Sequence, residues 1–309
     1  MNLKIILIIF FTTSCLSLHA KSTVYGKLWI SVESQKSLSG NELDMESNAS
    51  RVGIKGSLGF MEGLEAIYQV EYEVDLVDGK VDELKGSTFK RRNSFIGVKG
   101  FYGTIFLGTH DTSLKDSQKK IDLFNDLAAD IKTILRGENR MNNLIGFITP
   151  TSKKGISVTF NTIKGSTESV NNSARDSTSV SLNYKTKSLY ASISIDSKVK
   201  GYDNTRLSLQ VPFNRTQLGI IYQDTKKLST GIKEDGYVIS MSRKVGDKGT
   251  FKVQLAESAM KLDSGKQTSF GYDYQLSKKA KAFFFFTDLS GNKKLKEKDI
   301  TAVGFEYKF

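Results

Sequence analysis

From Thr23 onwards, in runs broken by clusters of Gly, Asn, Asp and Ser, polarity alternates along the chain with a period of two, and one of the two faces repeatedly carries charge. Such a period belongs to strands, whose successive side chains point to opposite sides. In the first run Val24, Gly26, Leu28, Ile30 and Val32 oppose Tyr25, Lys27, Trp29, Ser31 and Glu33. In a later one Leu64, Ala66, Tyr68, Val70, Tyr72 and Val74 oppose Glu65, Ile67, Gln69, Glu71 and Glu73. Three carboxylates on one face do not belong in a dry core. That face meets water, while the other meets something apolar. A soluble sandwich with one solvated face satisfies the same pattern.

Connection lengths separate the two possibilities. Short turns fall near 61–63, 151–155, 214–215, 246–249 and 277–279, and longer polar segments at 34–49, 75–87, 165–177, 226–235 and 289–298. Short turns alternating with long loops along an up-and-down meander are the pattern of a transmembrane barrel, and the runs number about 16. Barrels of that size leave an aqueous channel. The chain ends in Val303, Phe305, Tyr307 and Phe309 on one side and Ala302, Gly304, Glu306 and Lys308 on the other. An aromatic last strand suits a barrel that closes on its first strand in a membrane. Phe305, Tyr307 and Phe309 also resemble the C-terminal signal read by the outer-membrane barrel insertion machinery. The expected fold is therefore all-β: an antiparallel up-and-down transmembrane barrel.

Residues 1–20 read as a secretory signal, with Lys4, the apolar run 5–11 and Leu18-His19-Ala20 before the cleavage point. Cys15 also invites a lipoprotein reading, but Thr12-Thr13-Ser14 lacks the leucine that usually stands three residues before an acylated cysteine. Cleavage after Ala20 removes Cys15, the one cysteine, and leaves His110 as the one histidine. Residues 21–309 then form a single domain. No other apolar run reaches the roughly 18 residues of a spanning helix. A mean hydropathy of −0.29 is compatible with a barrel, because a polar lumen offsets an apolar exterior.

The segment 109–139, between strands expected at 102–108 and 140–148, does not alternate. Leu123, Leu127, Ile131 and Leu135, with Phe124 and Ile134, recur at helical spacing, and Asp122, Asp126 and Asp130 recur every four residues beside them. A surface helix with a solvated acidic side fits this spacing. So does a barrel loop folded inward, its apolar stripe on the wall and its acids towards the lumen.

Several stretches resemble the general porins of Gram-negative outer membranes. They are Ser50-Arg51-Val52-Gly53-Ile54-Lys55-Gly56, 63–71, Arg92-Asn93-Ser94-Phe95-Ile96-Gly97-Val98 and 101–109. His110-Asp111-Thr112, Asp122-Leu123-Phe124-Asn125-Asp126 and Arg140-Met141-Asn142-Asn143 extend the likeness into the third loop and beyond. The resemblance is dense from about 23 to 150, and the chain lacks the family's Pro-Glu-Phe-Gly-Gly-Asp loop sequence. It implies a homotrimer of 16-stranded barrels in the outer membrane, in contact with its lipid and lipopolysaccharide. Each barrel would be narrowed by the third extracellular loop at 109–139 and would pass small hydrophilic solutes by diffusion. On this likeness the basic side of the constriction is Arg51, Arg92 and Arg140, with Lys55 and Lys27 as neighbours. The acidic loop side is drawn from Asp111, Asp116, Asp122, Asp126 and Asp130, and the sequence leaves open which of the five reach the lumen. Opposed charges across a wet gap would set a field transverse to the pore.

The net charge of +12 suits anions or acidic surfaces. Lys153, Lys154, Arg215 and Lys244 lie near short turns, either as a rim that meets anionic lipid or as a funnel for anions. A substrate-specific channel would carry an aromatic track, for which Tyr25 and Trp29 are the inward candidates, Trp29 equally suiting an interfacial anchor. Catalysis would have to rest on His110 beside Asp111, without a Gly-x-Ser-x-Gly motif, and an adhesin or a plugged barrel would need inward charges paired with one another rather than facing water. No zinc spacing, phosphate loop or calcium loop is present, so no cofactor or metal is expected. Basic residues spread over turns and loops argue against nucleic acid.

Overall fold

The computed structural model describes residues 21–37, 39–78, 89–167, 175–261, 265–291 and 297–309. The expected signal at 1–20 and much of the segments at 75–87, 165–177 and 289–298 lie outside the described residues. The strand segments are β1 (Lys21–Ser37), β2 (Gly40–Ser47), β3 (Arg51–Met61), β4 (Leu64–Val74), β5 (Phe89–Arg91), β6 (Ser94–Gly100) and β7 (Gly103–Asp111). After a long connection come β8 (Arg140–Ile148), β9 (Ile156–Thr167), β10 (Arg175–Lys185), β11 (Tyr190–Val199), β12 (Tyr202–Phe213) and β13 (Thr216–Lys227). The wall ends with β14 (Lys233–Val245), β15 (Gly249–Ser258), β16 (Lys266–Gln275), β17 (Ala280–Ser290) and β18 (Lys298–Lys308).

These 18 segments make sixteen staves. One stave is β2 with β3, since both pair with β1, at 30–37 and 21–27. Another is β5 with β6, since both pair with β4. Every pairing is antiparallel, and β1 closes on β18 from Lys27↔Lys308 to Ser37↔Lys298. The sheet therefore keeps no open edge, as a barrel in lipid requires.

The wall is apolar outside and polar inside. On β11 to β13 the outward Ile193, Ile195, Leu207, Leu209, Ile220 and Tyr222 are exposed, whereas the inward Ser192, Ser194, Asn204, Arg206, Ser208 and Gln223 are buried. Phe305 is 47% exposed while Ala302 and Glu306 are buried, so the last strand divides its faces as its alternation predicts. Among the described residues no helix is long and apolar enough to cross a membrane.

Three local expectations change. The segment 34–49 is largely strand rather than loop, because β1 and β2 continue as a hairpin to residues 37 and 40. The loop expected at 109–139 begins later, since β7 runs on to Asp111. Within it no helix spans 120–136. The connection holds α1 (Ser113–Asp116), a 3₁₀ turn at Ile131–Thr133, and turns between them. The reason lies in the aspartates that suggested a helix face. Asp122 accepts from the backbone N–H of Phe124 and Ile131, Asp130 from those of Asp126 and Lys132, and Asp126 takes φ +68°. Carboxylates that capture nearby backbone donors compete with the helix.

The apolar residues of this segment nevertheless share a burial site. Phe124, Leu127 and Ala129 pack with Trp29 of β1, Phe283, Phe285 and Leu289 of β17, and Ile300 and Ala302 of β18. Ile121, Ile131, Ile134 and Leu135 pack with Ile221 of β13, Val238 of β14, Ala256 of β15 and Met260. The connection thus lies against the inner wall. The hydrophobic effect acts there as in a soluble core, at roughly 1.5–3 kcal/mol per large side chain removed from water.

Candidate functional site

Three breaks in the wall stand beside the three arginines singled out from sequence. The stave of β2 and β3 is interrupted at 48–50, immediately before Arg51. There Ala49 takes φ +51° and its carbonyl accepts from Arg51 Nε at 3.0 Å, while Ser50 Oγ accepts from Trp29 N at 2.9 Å. The stave of β5 and β6 is interrupted at 92–93, so Arg92 lies in the break itself. The β7–β8 pairing shifts register between Gly108 and His110, with Arg140 then opposite Asp111. Irregular backbone of this kind re-aims side chains that a regular ladder would hold perpendicular to the sheet.

Arg51, Arg92 and Lys27 converge on one loop carboxylate. Asp126 lies 2.5 Å from Arg51, 3.6 Å from Lys27 and 3.7 Å from Arg92. Behind it Arg92 binds Glu71 at 3.0 Å and Glu73 at 2.6 Å, Arg51 approaches Glu71 at 3.9 Å, and Tyr25 donates to Glu71 at 2.9 Å. Burial would raise the Asp126 carboxyl, but Arg51, Arg92 and Lys27 outweigh it and hold the group well below the usual carboxylate range. The expected rows facing each other across a gap are therefore in direct contact at Asp126, because the left-handed turn there carries the loop tip to the wall. Lys55 stands at the edge of this group, 4.9 Å over the Tyr25 ring.

Arg140 belongs to a second group. It binds Asp111 at 3.0 Å and Asn93 Oδ1 at 2.7 Å, and Lys115 reaches the same Asp111 at 3.3 Å. Asp116 lies 3.9 Å from His110, whose ring packs against both Phe95 and Phe106. Asp122 and Asp130 are buried and spend their oxygens on loop backbone. Burial, with Asp130 close by, raises the Asp122 carboxyl well above its usual value. Of the five acids named from sequence, Asp126 and Asp111 thus bind wall arginines, Asp116 approaches His110, and Asp122 and Asp130 brace the loop.

Sequence reasoning passed over a third group. Lys252 and Lys281 both lie 2.9 Å from Asp273, and Lys252 is 4.7 Å over Phe124. Lys27 stands 3.6 Å over the Trp29 ring, on the opposite sequence flank of the same inner surface. The inward parity of β15 to β17 could have revealed these charges. Glu71 and Glu73 were visible on the wet face of β4, but not as partners of Arg92. Phe305 and Tyr307 point outward, and Phe309 exchanges backbone hydrogen bonds with Gly26 at 3.2 and 3.3 Å. A Cβ on Gly26 would lie 2.2 Å from the Phe309 ring, so that slot requires glycine. Among the described residues no group of three or more acidic, histidine or cysteine side chains is placed to hold a metal.

The sequence profile of a Gram-negative porin family matches residues 7–294. The major outer membrane protein P.IB of Neisseria meningitidis serogroup A is 31% identical over 107 residues, which are 32% of this chain and 31% of that protein. The chain thus spans less than a third of the length of the P.IA and P.IB proteins it matches. Among solved structures, an anion-selective porin from Comamonas acidovorans superposes with TM-score 0.79 at 22% identity, covering 94% of this chain and 100% of that one. OmpT of Vibrio cholerae in a trimer form gives TM-score 0.66 at 14% identity, covering 94% and 99%. At these identities both likenesses establish the shared fold.

Proposed function

The chain belongs to the Gram-negative porin family, whose members are outer-membrane β-barrels, and on that premise we propose that it is a passive diffusion channel for small hydrophilic solutes and ions. The observation that carries this reading is the loop pressed against a polar inner wall, with its tip carboxylate among Lys27, Arg51 and Arg92. A loop that crosses a wet lumen narrows it and sets the size limit. Charges held there act on passing ions without binding them tightly, which conduction requires. In this reading the basic side is Arg51, Arg92 and Lys27, extended by Arg140 and Lys55, and Asp126 is the loop carboxylate that tunes it.

We infer a modest preference for anions. Two carboxylates, Asp111 and Asp273, each serve two cations, which leaves the inner surface locally positive. The Comamonas protein of the same fold is described as anion-selective. The packing of His110 against two phenylalanines supports a structural role rather than catalysis, so His110→Ala should keep the conductance. Assembly as a homotrimer draws support from the trimeric Vibrio protein. Single-channel recording of the full chain in a planar bilayer under a salt gradient tests the whole reading. Current closing in three equal steps with an anion-favouring reversal potential is expected. Insertion without current would refute the channel.

A further inference from the structure

The two limbs of the 112–139 connection enter and leave the lumen next to one another, and a single guanidinium ties both to the wall. Arg206 comes from the inward face of β12 and is 0% exposed. Its Nε donates to Gln223 Oε1 of β13 at 2.7 Å. Its Nη1 donates to Glu138 Oε1 at 2.8 Å and to Leu114 O at 3.4 Å, and its Nη2 to Arg136 O at 3.1 Å. Leu114 lies in α1, on the incoming limb, whereas Arg136 and Glu138 lie on the outgoing one. Gln223 Nε2 adds a second donor to Arg136 O at 3.0 Å. Gly137 lets the limbs close up: it takes φ +92°, and a Cβ there would stand 2.6 Å from Leu114.

The apolar clusters account for the middle of the loop, from Ile121 to Leu135, on β13 to β15, β17, β18 and β1. They do not account for its ends. Burying a guanidinium is unfavourable unless its partners are well placed, and the ion-pair partner of Arg206 belongs to the loop, not to the barrel. The planar fork suits this task, because it can reach two limbs and a wall glutamine at once.

We propose that Arg206 is the positioning residue of the constriction, a clasp that holds the loop in the lumen and so sets the width through which solutes pass. The proposal rests on the channel reading for its meaning, though not for its first test. Arg206→Met would leave Glu138 buried without its cation, and would leave the Arg136 and Leu114 carbonyls to Gln223 and Ser117 alone, with no group joining the two limbs to β12. The docked-to-undocked ratio of the loop should fall by about 100-fold, the order expected for an orphaned buried charge. Arg206→Lys keeps the charge but loses the fork, and should fall between.

The first readout is limited trypsin digestion of the folded full-length protein, since the loop carries Lys115, Lys119, Lys120, Lys132 and Arg136. Cleavage that follows the open population should be about 100-fold faster within 112–139 in Arg206→Met. The second is single-channel recording, in which the variant should show excursions to a larger conductance and admit larger neutral sugars. A folded Arg206→Met barrel with wild-type cleavage, conductance and size limit would overturn the clasp. Should that variant fail to assemble, Glu138→Gln, which leaves the wall intact, is read in the same two ways and should be cleaved at least about 10-fold faster. Wild-type barrels that insert without current would overturn the channel reading instead, and the digestion would still decide the role of Arg206.

Discussion

Asp126→Asn removes the one loop carboxylate that reaches Arg51, Lys27 and Arg92 together. Around it stand three cations, Lys27, Arg51 and Arg92, and three carboxylates, Glu71, Glu73 and Asp126, so the substitution leaves one net positive charge beside the lumen. A unit charge ~6 Å from a passing ion is worth ~0.7 kcal/mol in water. Screening at ~0.1 M salt, with a Debye length of ~10 Å, reduces this to ~0.4 kcal/mol. The local concentrations of cation and anion then change about twofold each, in opposite senses, so their ratio moves about fourfold towards anions. At ~0.01 M salt the weaker screening raises the change to about sevenfold. Reversal potentials across a planar bilayer, taken at both ionic strengths, read this ratio directly. Asp122→Asn is the control: its carboxyl is turned to the backbone of Phe124 and Ile131, so it should weaken the loop by ~1 kcal/mol without moving selectivity. An Asp126→Asn pore with the wild-type ratio at both salts, or one shifted towards cations, would refute the placement of Asp126 at the conducting surface.

Arg92→Ser should shift the reversal potential towards cations. It should also lower the heat resistance of the folded band on gels, because Glu71 and Glu73 lose their shared partner at a cost of about 3 kcal/mol or more. Gly26→Leu should impair closure of β18 on β1, since the Phe309 ring and the Arg51 carbonyl already occupy the space of a side chain, for an overpacking cost of about 1–3 kcal/mol. A wild-type yield of folded protein would contradict that account. The pH dependence of loop docking follows from the depressed Asp126 carboxyl. A group depressed on docking stabilises the docked loop above its undocked value and loses that contribution only as pH falls through the docked one. Trypsin resistance of 112–139, tested by pulses of digestion after exposure to pH 7 or pH 5, should therefore be no lower at pH 5, since the Asp122 carboxyl, raised by burial and by Asp130, favours the docked loop as pH falls; loss of protection at pH 5 would show that other groups govern docking.

Much of the fold was legible because a barrel wall repeats one rule. Each residue of β11 to β13 faces either lipid or lumen, so alternation alone sorts Ile193, Leu207 and Ile220 from Ser192, Arg206 and Gln223. Turn chemistry was less visible. Nothing in residues 34–49 distinguished a polar loop from a hairpin whose strands rise together, since β2 is polar on much of its length. The loop misled in a different way: Asp122, Asp126 and Asp130 have helical spacing, yet two of them fold the backbone into turns and one reaches the wall. Spacing counts residues, and it does not tell a solvated carboxylate from one that binds an N–H two residues on.

The sequence by itself determined the period of two, the wet and apolar faces, the closing aromatic strand and the one segment that departs from the pattern. These are local properties, because each depends on residues a few positions apart. Only the tertiary structure decided which charges meet. Asp126 and Arg51 are 75 residues apart, and Arg206 and Glu138 are 68 apart. Their pairing depends on barrel curvature and on where Phe283, Phe285 and Ile221 interrupt the polar lining to receive the loop. A carboxylate's role follows from the cations that the closed barrel brings within a few ångströms of it, and that distance is set by the whole wall.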